Sequence, residues 1–303
     1  MSVSLKFVDY NGIFKQKHDF TTYDLYNTLG DLVVLEADYF GTFSLVEDVV
    51  ELGDTHHTIY QSNKMCSRGF GLSVNEAQNT FDFNLYFPAT TADIDLMFRF
   101  IKEFVKSLNE PKFYIDNDEV DYSYIDDINK DLVKENQRII LELKDEKDFI
   151  ITGKDYPFYL DEYFLQSIKD EEDIDFVRKV EEYMYEQQEI DAYFARPYVV
   201  LENDDATEAV PVFSMGSDIP FLFYYDKKTY VIPFQNNINF IKWLITIKTS
   251  LKEETVDFDK FMANIPSDKI VHINKVLFYV KPLSDDELLA ICDPLEKELL
   301  ERE

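Results

Sequence analysis

The stretch Arg68–Leu108, RGFGLSVNEAQNTFDFNLYFPATTADIDLMFRFIKEFVKSL, decides how the rest of the chain is read. Phe70, Leu72 and Val74 alternate with small or polar residues, as a half-buried strand does. A polar turn over residues 75–79 leads into a second alternation, Phe81, Phe83, Leu85 and Phe87, against Asp82, Asn84 and Tyr86. Pro88 stops that strand because it has no N–H for a ladder. Thr90 or Thr91 then caps a helix, with Asp93 in the first turn where a carboxylate meets the helix dipole. Ile94, Met97, Phe98, Ile101, Val105 and Leu108 form its apolar stripe at helical spacing. The unit is strand, turn, strand, helix, and it carries no chemistry of its own.

Outward from this unit, the N-terminal side reads as a hairpin over residues 4–17 with Asn11-Gly12 at its turn. A short helix capped by Thr21 or Thr22 and closed by Gly30 follows, then a strand within residues 31–39. Residues 42–63 read as mixed helix and loop. On the C-terminal side, residues 112–120 read as one strand and residues 121–135 as a helix with Ile125, Ile128 and Leu132 on one side. Residues 138–143 and 148–152 read as paired strands. Helices are expected over residues 161–168 and from the acidic start Asp170-Glu171-Glu172-Asp173, with Ile174, Val177, Val180 and Met184 inward.

The last third repeats the pattern. Residues 219–225 and 229–232 read as strands around Asp226-Lys227-Lys228, and Pro233 stops the second. Asn236 or Asn237 caps a helix through Ile238, Ile241, Ile245 and Lys248; a strand over residues 275–280 follows. A final helix over residues 285–291 is capped by the box Ser284/Glu287. The fold class expected is α+β, in two similar halves, each an antiparallel sheet backed by helices, as an internal duplication would give. The domains expected are residues 1–150 and 151–303, the second entered through the acidic helical segment 161–191.

Composition narrows the function. With 46% hydrophobic and 16% aromatic residues the chain can fill two cores, so its charge does not unfold it. Sixty acidic against thirty basic residues give a net charge of −30, which repels phosphate backbones and anionic membrane surfaces. Direct nucleic-acid or membrane binding is therefore not expected. The acidity fits a solvated surface, or one that docks on a basic protein. Cys66 and Cys292 lie far apart, with no CxxC pair, and the N-terminus lacks a signal-peptide pattern; a cytoplasmic protein with reduced thiols is expected.

No catalytic motif emerges. Of His18, His56, His57 and His272 only the middle pair clusters, with Asp54, which is too few donors for a metal. There is no GxSxG, GxGxxG or Walker A loop, so neither cofactor nor metal is expected. Arg68-Gly69-Phe70-Gly71 comes nearest to a glycine loop, and a strand bulge explains it as well as a ligand would. The residues singled out for ligand or partner contact are Arg68, Gly69 and Phe70, and the acidic run Asp170, Glu171, Glu172 and Asp173. The Phe and Tyr abundance reads as core, since no basic groove accompanies it.

Cys66-Ser67-Arg68-Gly69-Phe70, Asn84-Leu85-Tyr86-Phe87-Pro88-Ala89-Thr90 and Phe100-Ile101-Lys102-Glu103 resemble an uncharacterised family of acidic proteins from Gram-positive bacteria. These are of similar length and are catalogued as a domain of unknown function. Val231-Ile232-Pro233 and Lys281-Pro282-Leu283-Ser284 resemble its C-terminal half, while Phe87-Pro88-Ala89-Thr90-Thr91 departs slightly from its pattern. The resemblance implies no activity, cofactor or catalytic residue. The functional expectation is a non-enzymatic binding or regulatory protein acting through its acidic surface. The alternatives are a nucleic-acid-mimicking inhibitor of a DNA-binding or nuclease protein, and an enzyme with an unrecognised site at Arg68 or His57.

Overall fold

The computed structural model describes residues 2–9, 25–26, 28–37, 43–45, 56–61, 65–75, 80–108, 111–151, 153–154, 156–201, 208–225, 239–240 and 242–300. Its class is α+β. Contacts cluster into two units, Met1–Glu189 and Ile190–Glu303.

The first unit is built on an antiparallel sheet of eight strands: β1 (Ser2–Asp9), β2 (Leu32–Ala37), β3 (Phe43–Leu45), β4 (His56–Gln61), β5 (Phe70–Asn75), β6 (Thr80–Tyr86), β7 (Pro111–Ile115) and β8 (Asp118–Val120). Their order is β3-β2-β4-β5-β6-β1-β7-β8, so the first strand lies between the two hairpins. The alternation read in sequence is the register found, with Leu72 opposite Phe83 and Leu5 opposite Phe83 and Ile115. Helix α1 (Thr91–Phe104) lays Phe100 and Phe104 on this face, with ring centroids 5.4 Å from Phe70 and 4.9 Å from Phe81. Its buried surface is wider than the stripe read from sequence. Leu96, Phe100 and Phe104 are buried besides Ile94, Met97, Phe98 and Ile101, because α1 meets α2 (Ile125–Glu142) as well as the sheet.

A second cluster fills the rest of this unit. Ile140 and Leu143 pack with Ile151 of β9 (Phe149–Ile151), Phe158 of β10 (Phe158–Leu160), Leu165 of α3 (Glu162–Ile168) and Val180 of α4 (Asp173–Gln188).

Several local expectations are corrected. Residues 112–120 form a hairpin rather than one strand. Asp116 and Asn117 adopt φ of 47° and 78°, left-handed values that short polar side chains tolerate in a tight turn. Residues 138–142 continue α2 and Leu143 follows in a 3₁₀ turn, because Asn136, Ile140 and Leu143 keep one buried face; β9 pairs with β10 instead. Within residues 42–63, expected as mixed helix and loop, the described residues form β3 and β4; the others lie outside the described residues. The hairpin turn at Asn11-Gly12 and the caps Thr21 and Thr22 lie outside the described residues.

The second unit holds two mixed sheets. One is β11 (Tyr193–Ala195), β14 (Phe221–Tyr224), β19 (Leu277–Val280) and β18 (Ile270–His272), in that order. The other runs β12 (Tyr198–Leu201), β13 (Glu208–Gly216), β16 (Leu244–Lys248), β17 (Glu253–Asp257), with β15 (Asn239–Phe240) beside β13. The β11–β14, β13–β15 and β13–β16 pairs are parallel. Helices α5 (Phe258–Asn264) and α6 (Asp285–Leu300) complete it, and Ser284 and Glu287 form the expected capping box.

The helix expected from Asn236 to Lys248 is replaced by β15 and β16. Ile245 and Ile247, four and six residues after Ile241, are buried on a strand whose β-branched composition outweighs the helical spacing. Residues 229–233 lie outside the described residues; with β16 where the repeat needs a helix, two copies of one unit are not shown.

Candidate functional site

The most densely bonded place among the described residues is the start of α1. Thr90 caps the helix, and Asp93 returns to the Thr90 N–H at 3.0 Å, closing a capping box. The same carboxylate, fully buried, accepts from the loop before β5: Ser67 N–H at 3.1 Å, Ser67 Oγ at 3.2 Å, Arg68 N–H at 3.3 Å and Gly69 N–H at 2.7 Å. Successive N–H groups aimed at one anion make a nest of the kind that holds phosphates. Here the anion is a side chain of the chain itself.

Gly69 bends the loop into this shape at a φ of 67°, and a Cβ there would stand 2.2 Å from the Ile59 carbonyl oxygen. No other residue fits. Arg68 donates Nη1 to the Tyr86 and Pro88 carbonyls at 3.1 and 3.0 Å, with its guanidinium 5.5 Å from the Tyr86 ring. It thereby satisfies the strand end where the Phe87–Pro88 bond is cis. Burial pulls its pKa down to about 10, against the pull of Asp93, so it stays charged at neutral pH. Phe70 is core, in contact with Phe83 and Phe100. Arg68, Gly69 and Phe70 thus come together, and their polar groups are turned inward on the fold.

Three buried amides extend the network. Asn136 accepts from the Ala89 N–H and donates to the Ala89 carbonyl, each at 2.9 Å. Gln187 does the same to Tyr159, and Gln188 donates to the Tyr156 carbonyl at 2.9 Å. Each side chain stands in for a backbone ladder partner where no strand is available. Lys154, also buried, donates Nζ to Glu189 at 2.7 Å and its N–H to the Ser67 carbonyl at 2.8 Å. These ties hold residues 150–189 in the first unit and explain the boundary at Glu189. Sequence reading places Thr90 or Thr91 at the cap and Asp93 in the first turn, but misses Asn136, Lys154, Gln187 and Gln188, which carry no motif.

Glu181 of α4 accepts the Thr91 N–H and hydroxyl at 3.1 and 2.9 Å. Burial pushes its pKa up to about 7, with Asp93 and Asp95 adding to the rise and the Thr91 bonds opposing it. Cys66, buried beside Asp93, is pushed up to about 12 and stays a thiol at neutral pH. His57 is buried in β4, opposite Leu72, and Asp54 lies outside the described residues. Among the described residues no three His, Cys, Asp or Glu side chains group as a metal site would need.

The acidic run lies elsewhere in the same unit. Asp170 and Glu172 are exposed between α3 and α4, Glu171 pairs with Lys179, and Asp173 pairs with Lys144 at 2.9 Å. Lys169 and Arg178, the remaining cations of residues 161–191, are held by Asp145 and by Asp175 and Glu182. Among the described residues no helix is long and apolar enough to cross a membrane.

No curated protein and no solved structure matches the chain. One family model does, over residues 7–291, which takes in the nest, both units and the acidic run; the chain belongs to the family described as Domain of unknown function (DUF4299).

Proposed function

We propose that the protein is a non-enzymatic cytoplasmic binding protein whose acidic helical surface, residues 161–191, docks on a basic protein. The observation that carries this reading is a charge imbalance. All three cations of the segment are held within the chain, whereas Glu162, Asp170, Glu172, Glu186 and Asp191 are exposed with no basic partner among the described residues. The field left over is anionic and would steer a cationic surface.

Charge supplies encounter rather than affinity, and two large apolar side chains stand ready for the second role. Tyr163 is 85% exposed and Ile174 is 65% exposed, each in the first turn of its helix among carboxylates. Interfaces draw most of their energy from such anchors inside a polar rim.

The test is capture from native lysate at low and high salt with two variants, Asp170→Asn/Glu172→Gln/Glu186→Gln/Asp191→Asn and Tyr163→Ala/Ile174→Ala. A basic protein held at low salt by the wild type and lost from both variants supports the reading. Empty capture, or capture indifferent to both variants, overturns it.

A further inference from the structure

We draw no further inference here: the strongest candidate, the hollow of about 300 Å3 lined by Tyr225, Phe258, Met262, His272 and Phe278 beside α5, β18 and β19, is an apolar surface, and nothing in the structure shows what covers it.

Discussion

Each unit pins a loop to the start of a helix with an aspartate, and the two solve the problem at different depths. In the first unit Asp93 is fully buried and gathers Ser67, Arg68, Gly69 and Thr90. In the second, Asp285 at the start of α6 takes the Ser250 N–H at 3.2 Å and the Ser250 hydroxyl, and it stays open to water. The bonds are alike, but what replaces them when they are lost is not. Water can take over at Asp285, while the donors around Asp93 would be stranded. Asp93→Ala is therefore expected to be the most damaging single change, destabilising by roughly 3–5 kcal/mol, since it leaves several buried N–H groups without an acceptor. Asp285→Ala should do far less. Hydrogen exchange over residues 65–104 and 245–290 checks the contrast; equal losses of protection would break it.

The same contrast holds for glycines. Gly69 has a positive φ and meets the Ile59 carbonyl, so Gly69→Ala must move backbone, at a cost of about 2–4 kcal/mol. At Gly216, in β13 of the second unit, a Cβ would find nothing nearer than the Lys248 carbonyl at 3.8 Å. Gly216→Ala should stay within about 0.5 kcal/mol of the parent. Urea midpoints of the two variants decide it, and a tolerant Gly69 would refute the close packing of the nest loop.

Buried polar pairs supply a third, smaller comparison. Asn136→Leu strands both backbone groups of Ala89, and roughly 2–3 kcal/mol is expected. In the second unit Thr246 shares a 2.9 Å bond with Thr255, whose exposed side chain can turn to water, so Thr246→Val should cost under about 1 kcal/mol. Thermal melts of both variants would sharpen or erase the difference.

These residues also mark where the sequence was legible. Strands β5 and β6 and helix α1 could be read because one period governed each and Pro88, Thr90 and Asp93 punctuated them. The capping box of α6 was legible for the same reason. Asp93 could be seen as a first-turn carboxylate but not as the anchor of Ser67–Gly69, because that contact joins residues 24 to 26 positions apart. Asn136, Gln187 and Gln188 were invisible, since an amide that replaces a ladder partner has no spacing rule. Ile241 and Ile245 gave the opposite failure. Their spacing fits a helix, yet the partners of β16 are β13 and β17, and nothing local to residues 236–248 announces either.

The last comparison concerns two carboxylates removed from bulk water. Glu254 in β17 is nearly buried and is held by the Lys252 ammonium. Among the described residues Glu181 has only the neutral donors of Thr91, with Asp93 and Asp95 as anionic neighbours, and its pKa stands at about 7 against an ordinary 4.5. The folded chain therefore keeps a proton at Glu181 that the unfolded chain has already released between those values. Stability falls as pH rises from about 4.5 to about 7, and the full penalty persists above that. Glu181→Gln cannot release a proton and keeps an oxygen for Thr91, so it should gain on the wild type as pH increases. Other carboxylates titrate in both proteins and cancel in the difference. Urea midpoints at pH 5 and pH 8 read it directly: the variant's advantage should be larger at pH 8. A constant difference between the two would mean that Glu181 is as well solvated in the folded chain as in the unfolded one.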